Sequence, residues 1–179
     1  MEIKTFGVIG SGQMGNGIAQ VAAVSGLDVI MNDIKPEFIE NGLKVIAKNL
    51  QRFVDKGKIS KDEKDAVLGR IKSSTDIKDM EKVDMVVEAA VENETLKFKI
   101  FKDLDEICAP EVILATNTSS IPIGRIAAQT KRPEKLIGMH FMNPVPLMKL
   151  VEIIRGLATS DETFKTTWEL AKKFGKTLK

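Results

Sequence analysis

Cysteine is almost absent from this chain. The single thiol, Cys108, cannot close an internal disulfide, which excludes a disulfide-stapled secreted scaffold and suits a reducing compartment. Its neighbours Ile107 and Ala109 are apolar, so Cys108 reads as a buried structural thiol rather than a nucleophile. An excess of either charge is lacking too. With 27 Lys and Arg against 25 Asp and Glu, the net charge of +2 offers no strong field for nucleic acid or an anionic membrane. No apolar run approaches the ~20 residues of a membrane span, and the N-terminus passes straight into a strand-like segment with no leader pattern. Repeats and low-complexity tracts are missing, and no metal-ligand spacing is present. Histidine is reduced to one residue, His140. The 179 residues, 43% hydrophobic and 29% charged, suit one domain with a substantial core. The expectation is a soluble, cytoplasmic domain.

The most informative stretch is Phe6 to Gln20, FGVIGSGQMGNGIAQ. A short apolar run leads into Gly10, Gly12 and Gly15 at GxGxxG spacing, with Gln13 and Met14 inside the motif, and an Ala- and Val-rich helical stretch follows. Strand, glycine turn and helix in that order form a dinucleotide-binding fingerprint. Gly10 permits the tight turn, Gly12 lets backbone N–H groups approach a pyrophosphate, and Gly15 lets the helix pack close to the strand. The helix N-terminus adds unpaired donors and partial positive charge for the phosphates. A bare GxGxxG is weak, so its second half matters. Asp28 to Asn32 reads as a second strand ending at Asp33, 21 residues past Gly12. An acidic side chain there accepts hydrogen bonds from the adenosine ribose and repels a 2′-phosphate, which favours NAD over NADP.

Strand-like and helix-like segments alternate along the chain, which predicts a parallel sheet flanked by helices. Pro36 opens a helix running to about Lys56, Gly57 stops it, and Ser60 with Glu63 forms a capping box for a second helix to about Ile71. This helical hairpin, 36–71, exceeds what a crossover needs and reads as an insertion between the second strand and a third at Val83–Ala89. Helices are predicted at Glu94–Ile107 and Pro122–Gln129, and strands at Val112–Thr116, Leu136–Phe141 and Leu150–Ile154. The last two strands are joined by the turn-rich Asn143–Pro146. Thr159 and Glu162 have capping-box spacing before a final helix to Phe174, stopped by Gly175. The fold class is therefore α/β: a Rossmann-like, doubly wound, mostly parallel sheet with a helical hairpin after the second strand and an antiparallel edge near the C-terminus. Lys176 to Lys179 begin another segment, which reads as the front portion of a longer protein.

His140 falls at the C-terminal end of a predicted strand, where doubly wound sheets bind ligands. Glu152 follows 12 residues later among Val151, Ile153 and Ile154, and a carboxylate in so apolar a strand is costly to bury unpaired. If the two strands run antiparallel, Glu152 returns beside His140 and can orient one imidazole nitrogen while the other acts as a base. Dehydrogenation of an alcohol needs such a base. A structural His–Glu hydrogen bond is the alternative. Asn117-Thr118-Ser119-Ser120 is either a strand-to-helix turn or a contact to substrate or nicotinamide. Glu92 and Asn93 follow a strand end and should face the cofactor groove. Lys44, Lys48, Arg52 and Lys56 recur every four residues, forming a basic ridge that is either a solvated face or a dock for a phosphate-bearing substrate.

The stretches GVIGSGQMGNGIAQ, VVEAAVEN, ATNTSSIPI and GMHFMNPVPLMKLVE, within residues 6–152, closely resemble the L-3-hydroxyacyl-CoA dehydrogenase family, including its short-chain 3-hydroxybutyryl-CoA members. The resemblance implies NAD-dependent interconversion of L-3-hydroxyacyl-CoA and 3-ketoacyl-CoA. It implies His140 as catalytic base, Glu152 as its partner, and Ser119 as a contact to both substrate and nicotinamide. It further implies Asp33, Glu92, Lys97 and Asn143 in the cofactor groove beside Gly10, Gly12, Gln13, Met14 and Gly15, and Arg52 and Lys56 as contacts to coenzyme A. In that family a helical C-terminal domain follows, completing the acyl pocket and supplying most of a dimer interface. The chain stops before it, so the expectation is cofactor binding with little turnover. Two other readings remain open: a β-hydroxyacid dehydrogenase for free acids, which usually relies on a lysine from the following domain, and a non-catalytic dinucleotide-binding module.

Overall fold

The computed structural model describes residues 1–179. Strand β1 (Thr5–Ile9) leads through α1 (Gln13–Val24) to β2 (Asp28–Asn32), the hairpin of α2 (Pro36–Asp55) and α3 (Lys61–Gly69), and β3 (Ile71–Ser74). After a 3₁₀ turn at Ile77–Lys82 come β4 (Met85–Glu88), α4 (Glu94–Ile107), β5 (Ile113–Thr116) and α5 (Ile123–Ala127). The chain closes with β6 (Leu136–Phe141), β7 (Leu150–Arg155), α6 (Asp161–Lys173) and β8 (Thr177–Leu178). All eight strands join one sheet in the order β3-β2-β1-β4-β5-β6-β7-β8. β1 to β6 are parallel, β7 runs antiparallel to β6, and β8 pairs parallel with β7. The chain winds outward from β1 to β3, then resumes on the other side of β1 with β4. The order therefore reverses between β1 and β4, the crevice at which such sheets bind ligands.

Side chains alternate across this sheet with period two. Phe6 and Val8, Val29 and Met31, Met85 and Val87, and Ile137 and Met139 face one layer, covered by α1, the hairpin and α6. Ile9, Ile30, Val86, Leu114 and Leu136 face the other, covered by α4, α5 and the 3₁₀ turn. Both faces are thus apolar, which is why the strands read as hydrophobic runs rather than as alternation. On the second face Arg132 ties three segments together. It pairs with Asp105 at 2.8 Å and donates to the carbonyls of Asp105, Cys108, Ala109 and Val112.

The hairpin stands after β2 as the sequence predicts, with Pro36 in the first turn of α2, Gly57 at φ 69° behind it, and both bonds of the Ser60–Glu63 capping box formed. Two details differ. α3 ends at Gly69 rather than near Ile71, and Ile71–Ser74 becomes edge strand β3 beside β2, so Met85–Glu88 is the fourth strand and not the third. A tetrapeptide with one apolar residue carries no strand signal of its own; pairing with β2 supplies it. The cap of α6 is Ser160, whose hydroxyl accepts the Thr163 N–H at 3.1 Å, and not Thr159. The Thr159 hydroxyl instead donates to the Leu136 carbonyl and holds the end of β7 against β6.

Candidate active site

The C-terminal ends of β1, β2, β4, β5 and β6 meet at one edge of the sheet. Gly10 takes φ 101°, and a Cβ there would lie 2.5 Å from the Ala89 carbonyl oxygen, so the turn after β1 closes directly on the turn after β4. A Cβ at Gly15 would lie 1.9 Å from the Gly10 carbonyl oxygen, which brings α1 onto the turn. Gly12 differs: nothing stands within 4 Å of its missing Cβ. It is the N-cap of α1, which carries no acidic residue in its first turn and no capping side chain, so the helix N-terminus is open to an anion. A cleft of about 1060 Å³ opens there, lined by Gly10, Gly12, Gln13 and Asp33 and walled by apolar residues such as Ile34 and Val91.

Asp33 follows β2 at the cleft. One carboxylate oxygen accepts the Ser11 N–H at 2.8 Å and the Ser11 hydroxyl at 2.7 Å, and the other accepts the Ile34 N–H at 2.7 Å. The glycine turn itself therefore fixes this carboxylate. Met14 is partly buried against the core and does not line the cleft with Gln13. Gly15 is buried beneath the turn.

Beyond the crevice, Glu88 at the end of β4 is fully buried and Lys97 of α4 is only 1% exposed, with Nζ 2.5 Å from Glu88 Oε2. Thr116 donates its hydroxyl to the other oxygen of Glu88 at 2.8 Å. Lys97 also lies 3.6 Å from Glu92, whose second oxygen accepts the hydroxyls of Thr118 and Ser120. Burial alone would raise the Glu92 carboxyl. The Thr118 hydrogen bond, the Lys97 charge and the Ser120 hydrogen bond outweigh it and hold the group below the ordinary carboxylate range. The polar run after β5 is thus divided. Asn117 accepts the Phe141 N–H at 2.9 Å and Thr118 turns inward, while Ser119 stands exposed at the edge.

β6 and β7 pair in a register that sets His140 directly opposite Glu152, with Nδ1 2.9 Å from Oε1. The side chains are 21% and 38% exposed, so the pair is accessible from the sheet edge. The intervening loop holds the exposed Asn143, joined to Pro144 by a cis peptide bond. Arg52 and Lys56 are exposed on α2 and its C-cap, away from the cleft, and no carboxylate pairs with either of them or with Lys44 and Lys48.

Several features have no counterpart in the sequence reading. Ser11 carries no signal of its own inside the glycine motif, whereas Glu88, an acidic residue inside the apolar run MVVEAA, carries the same signal as Glu152. A second groove of about 630 Å³ runs between the hairpin and the loop before β7, floored by Val21, Leu50 and Phe53 and rimmed by Lys58, Lys149 and Lys176. Lys176 donates to the carbonyls of Val145 and Met148, and burial lowers its pKa. Leu147 and Met148 beside it are exposed. No cluster of three or more His, Cys, Asp or Glu side chains is arranged to hold a metal ion, and no helix is long and apolar enough to cross a membrane.

Residues 5–178 match the family described as 3-hydroxyacyl-CoA dehydrogenase, NAD binding domain. A probable 3-hydroxybutyryl-CoA dehydrogenase of Deinococcus radiodurans is 57% identical over 96% of this chain and 62% of its own length. The 3-hydroxybutyryl-CoA dehydrogenase of Bradyrhizobium diazoefficiens is 51% identical over 97% of the chain and 59% of its own length. The crystal structure of (S)-3-hydroxybutyryl-CoA dehydrogenase from Ralstonia eutropha superposes with a TM-score of 0.97 at 48% identity, over 99% of this chain and 62% of that one. The chain therefore spans about 60% of the length of the curated relatives it matches.

Proposed function

The chain belongs to the 3-hydroxyacyl-CoA dehydrogenase family, its cofactor is NAD, and from that premise we propose that it carries the cofactor site and catalytic base for interconverting L-3-hydroxyacyl-CoA, in particular 3-hydroxybutyryl-CoA, and 3-ketoacyl-CoA. The observation that carries this reading is the His140–Glu152 pair at 2.9 Å, on the same sheet edge as the glycine turn. The open N-terminus of α1 and the absence of any atom around the missing Cβ of Gly12 suit the diphosphate of a dinucleotide. Gly10, Gly12 and Gln13 hold the diphosphate segment, while Met14 packs against the core and Gly15 seats α1 beneath the turn. Asp33 holds the adenosine ribose, and Glu92, Ser119 and Asn143 hold the nicotinamide half, with Lys97 buried behind Glu92.

When bound, NAD supplies the acceptor for the hydride that leaves the hydroxyl-bearing carbon. Glu152 accepts the Nδ1–H of His140, which fixes the tautomer and leaves Nε2 free to take the hydroxyl proton. The Glu152 carboxylate then stabilises the imidazolium. In the reducing direction the same imidazolium returns the proton to the carbonyl oxygen. Arg52 and Lys56, exposed and unpaired, meet the phosphates of coenzyme A. We also infer that these 179 residues alone bind cofactor and turn over slowly.

Two measurements test the reading. Calorimetric titration should show saturable NADH binding and much weaker binding of NADPH. Single-turnover oxidation of NADH with acetoacetyl-CoA, at chain concentrations above substrate, should slow by at least about 10²-fold in His140→Gln. An unchanged rate in that variant would remove His140 from the mechanism.

A further inference from the structure

Between the glycine turn and His140 lies a charge cluster whose full extent the reaction above does not use. Glu88 and Lys97 form an ion pair with both members essentially inaccessible. Taking two ions out of water costs several kcal/mol each before their attraction is counted, so stability alone is a weak reason for such a pair. Glu88 uses both oxygens: beyond Lys97 it accepts the Ala90 N–H at 2.8 Å and the Thr116 hydroxyl at 2.8 Å. Lys97 reaches onward to the Ala90 carbonyl at 3.4 Å and to Glu92 at 3.6 Å. Only Glu92 faces the solvent, with its side chain 48% exposed.

The charges do not cancel. Two carboxylates against one ammonium leave one negative charge in excess, and the solvent-facing carboxylate is held ionised by its hydroxyl donors and by Lys97. Nearby pairs add nothing to this sum, since Lys99 is paired with Asp103 and Glu94 with Arg125. The excess lies on the β4–β5 side of the crevice. With the diphosphate on the glycine turn and Asp33 on the β2 side, the nicotinamide half of a dinucleotide extends to the β4–β5 side. Its ring is cationic when oxidised and neutral when reduced.

We propose that the Glu88–Lys97–Glu92 cluster discriminates between the two redox forms of the cofactor, its surplus carboxylate charge favouring NAD⁺ over NADH. Glu88 acts in it as a positioning residue that never touches the ligand. The proposal rests on the reading of the cleft as an NAD(H) site. Glu88 both anchors Lys97 under the turn after β4 and sets the cluster's net charge.

The test is the ratio of the dissociation constants for NAD⁺ and NADH, measured calorimetrically at low ionic strength. Glu88→Gln and Glu92→Gln each remove the surplus charge, and each should raise Kd(NAD⁺)/Kd(NADH) about threefold to tenfold. The double variant Glu88→Gln/Lys97→Met leaves the Glu92 charge unbalanced again, and its ratio should return to within about twofold of the parent. A merely structural role would weaken both forms together and make the double variant the worst of the three. An unchanged ratio in Glu92→Gln, whose exposed side chain leaves folding intact, overturns the proposal. So does a double variant whose ratio stays with that of Glu88→Gln. Failure of the parent chain to bind either form would overturn the cofactor reading, and the charge assignment with it. Binding of both forms with unmoved ratios overturns only the latter.

Discussion

Alanine at Gly12 and alanine at Gly15 should fail in opposite ways. At Gly15 the new Cβ would lie 1.9 Å from the Gly10 carbonyl oxygen and 2.6 Å from its carbon. An ordinary carbon–oxygen contact needs about 3.3 Å, so helix and turn must part by more than an ångström. Both offending atoms are backbone, and no side chain can rotate away. The helix is buried from Gly15 to Ala23, so the displacement loosens its whole seat on β1 and β2. Overpacking commonly costs 1–3 kcal/mol; with neither partner able to yield, about 3 kcal/mol or more is expected. At Gly12 nothing lies within 4 Å and φ is −67°, which any residue adopts. The penalty there is the preference of an N-cap for glycine over alanine, below about 1 kcal/mol. The methyl group would nevertheless stand where the diphosphate must approach the helix N-terminus. Urea unfolding followed by circular dichroism, with a slope of about 2 kcal/mol/M, should move the midpoint of Gly15→Ala down by about 1.5 M and leave that of Gly12→Ala within about 0.5 M. Calorimetry should show NADH binding to Gly12→Ala weakened at least about tenfold. An unshifted midpoint for Gly15→Ala, or unimpaired NADH binding by Gly12→Ala, would refute the division of labour.

With one histidine in the chain, its imidazole ¹⁵N signals need no assignment. They should report a dominant Nδ1–H tautomer that is lost in Glu152→Gln, and a native ring protonated mainly at Nε2 would break the proposed dyad. Arg132→Met removes the charged partner of the Asp105 carboxylate, whose side chain is only 8% exposed and which keeps just the Lys131 N–H, together with four carbonyl bonds, so unfolding free energy should fall by about 3–5 kcal/mol. A loss below about 1 kcal/mol would remove Arg132 from the account of stability. Burial pushes the Cys108 thiol up from 9.0 to about 11, with the Arg132 charge opposing and the Asp105 charge adding to the shift. A folded value above the unfolded one means that this contribution is intact below pH 9 and lost as pH rises toward 11. Unfolding free energy should therefore decline more steeply over that interval in the parent than in Cys108→Ala, and equal slopes would contradict the burial effect.

The architecture was legible wherever local signals and tertiary demands agree. The glycine turn, Pro36, Gly57 and the Ser60–Glu63 box each act within a few residues, and all were readable from spacing. β3 was not, because Ile71-Lys72-Ser73-Ser74 has no periodicity and owes its strand to the open edge of β2. The cap of α6 was displaced by one residue because Thr159 has a tertiary use that sequence spacing does not encode, its bond to Leu136. His140 and Glu152 could be paired in advance, since an antiparallel turn between two apolar strands fixes who meets whom. Glu88 and Lys97 sit on a strand and a helix whose contact depends on the crossover between them, so their ion pair emerges only in three dimensions.

Three carboxylates on this sheet edge illustrate why residue type alone underdetermines a site. Asp33 is held by an N–H and a hydroxyl of Ser11 and by the N–H of Ile34, all neutral donors, so its charge stays uncompensated at the β2 side of the cleft. Glu92 is held by two hydroxyls and shares an ammonium with a buried second carboxylate, so its own charge is the surplus of a larger cluster. Glu152 has an imidazole as its partner, a group able to change its protonation during a reaction. Under the proposed function the first arrangement serves the selection of one dinucleotide over another, and the second a response to the charge of the bound ring. Only the third pairs its carboxylate with a side chain that moves a proton in the proposed reaction. The donors, not the carboxylates, distribute these roles, and the β1–β4 crossover and the β6–β7 register bring the donors into place.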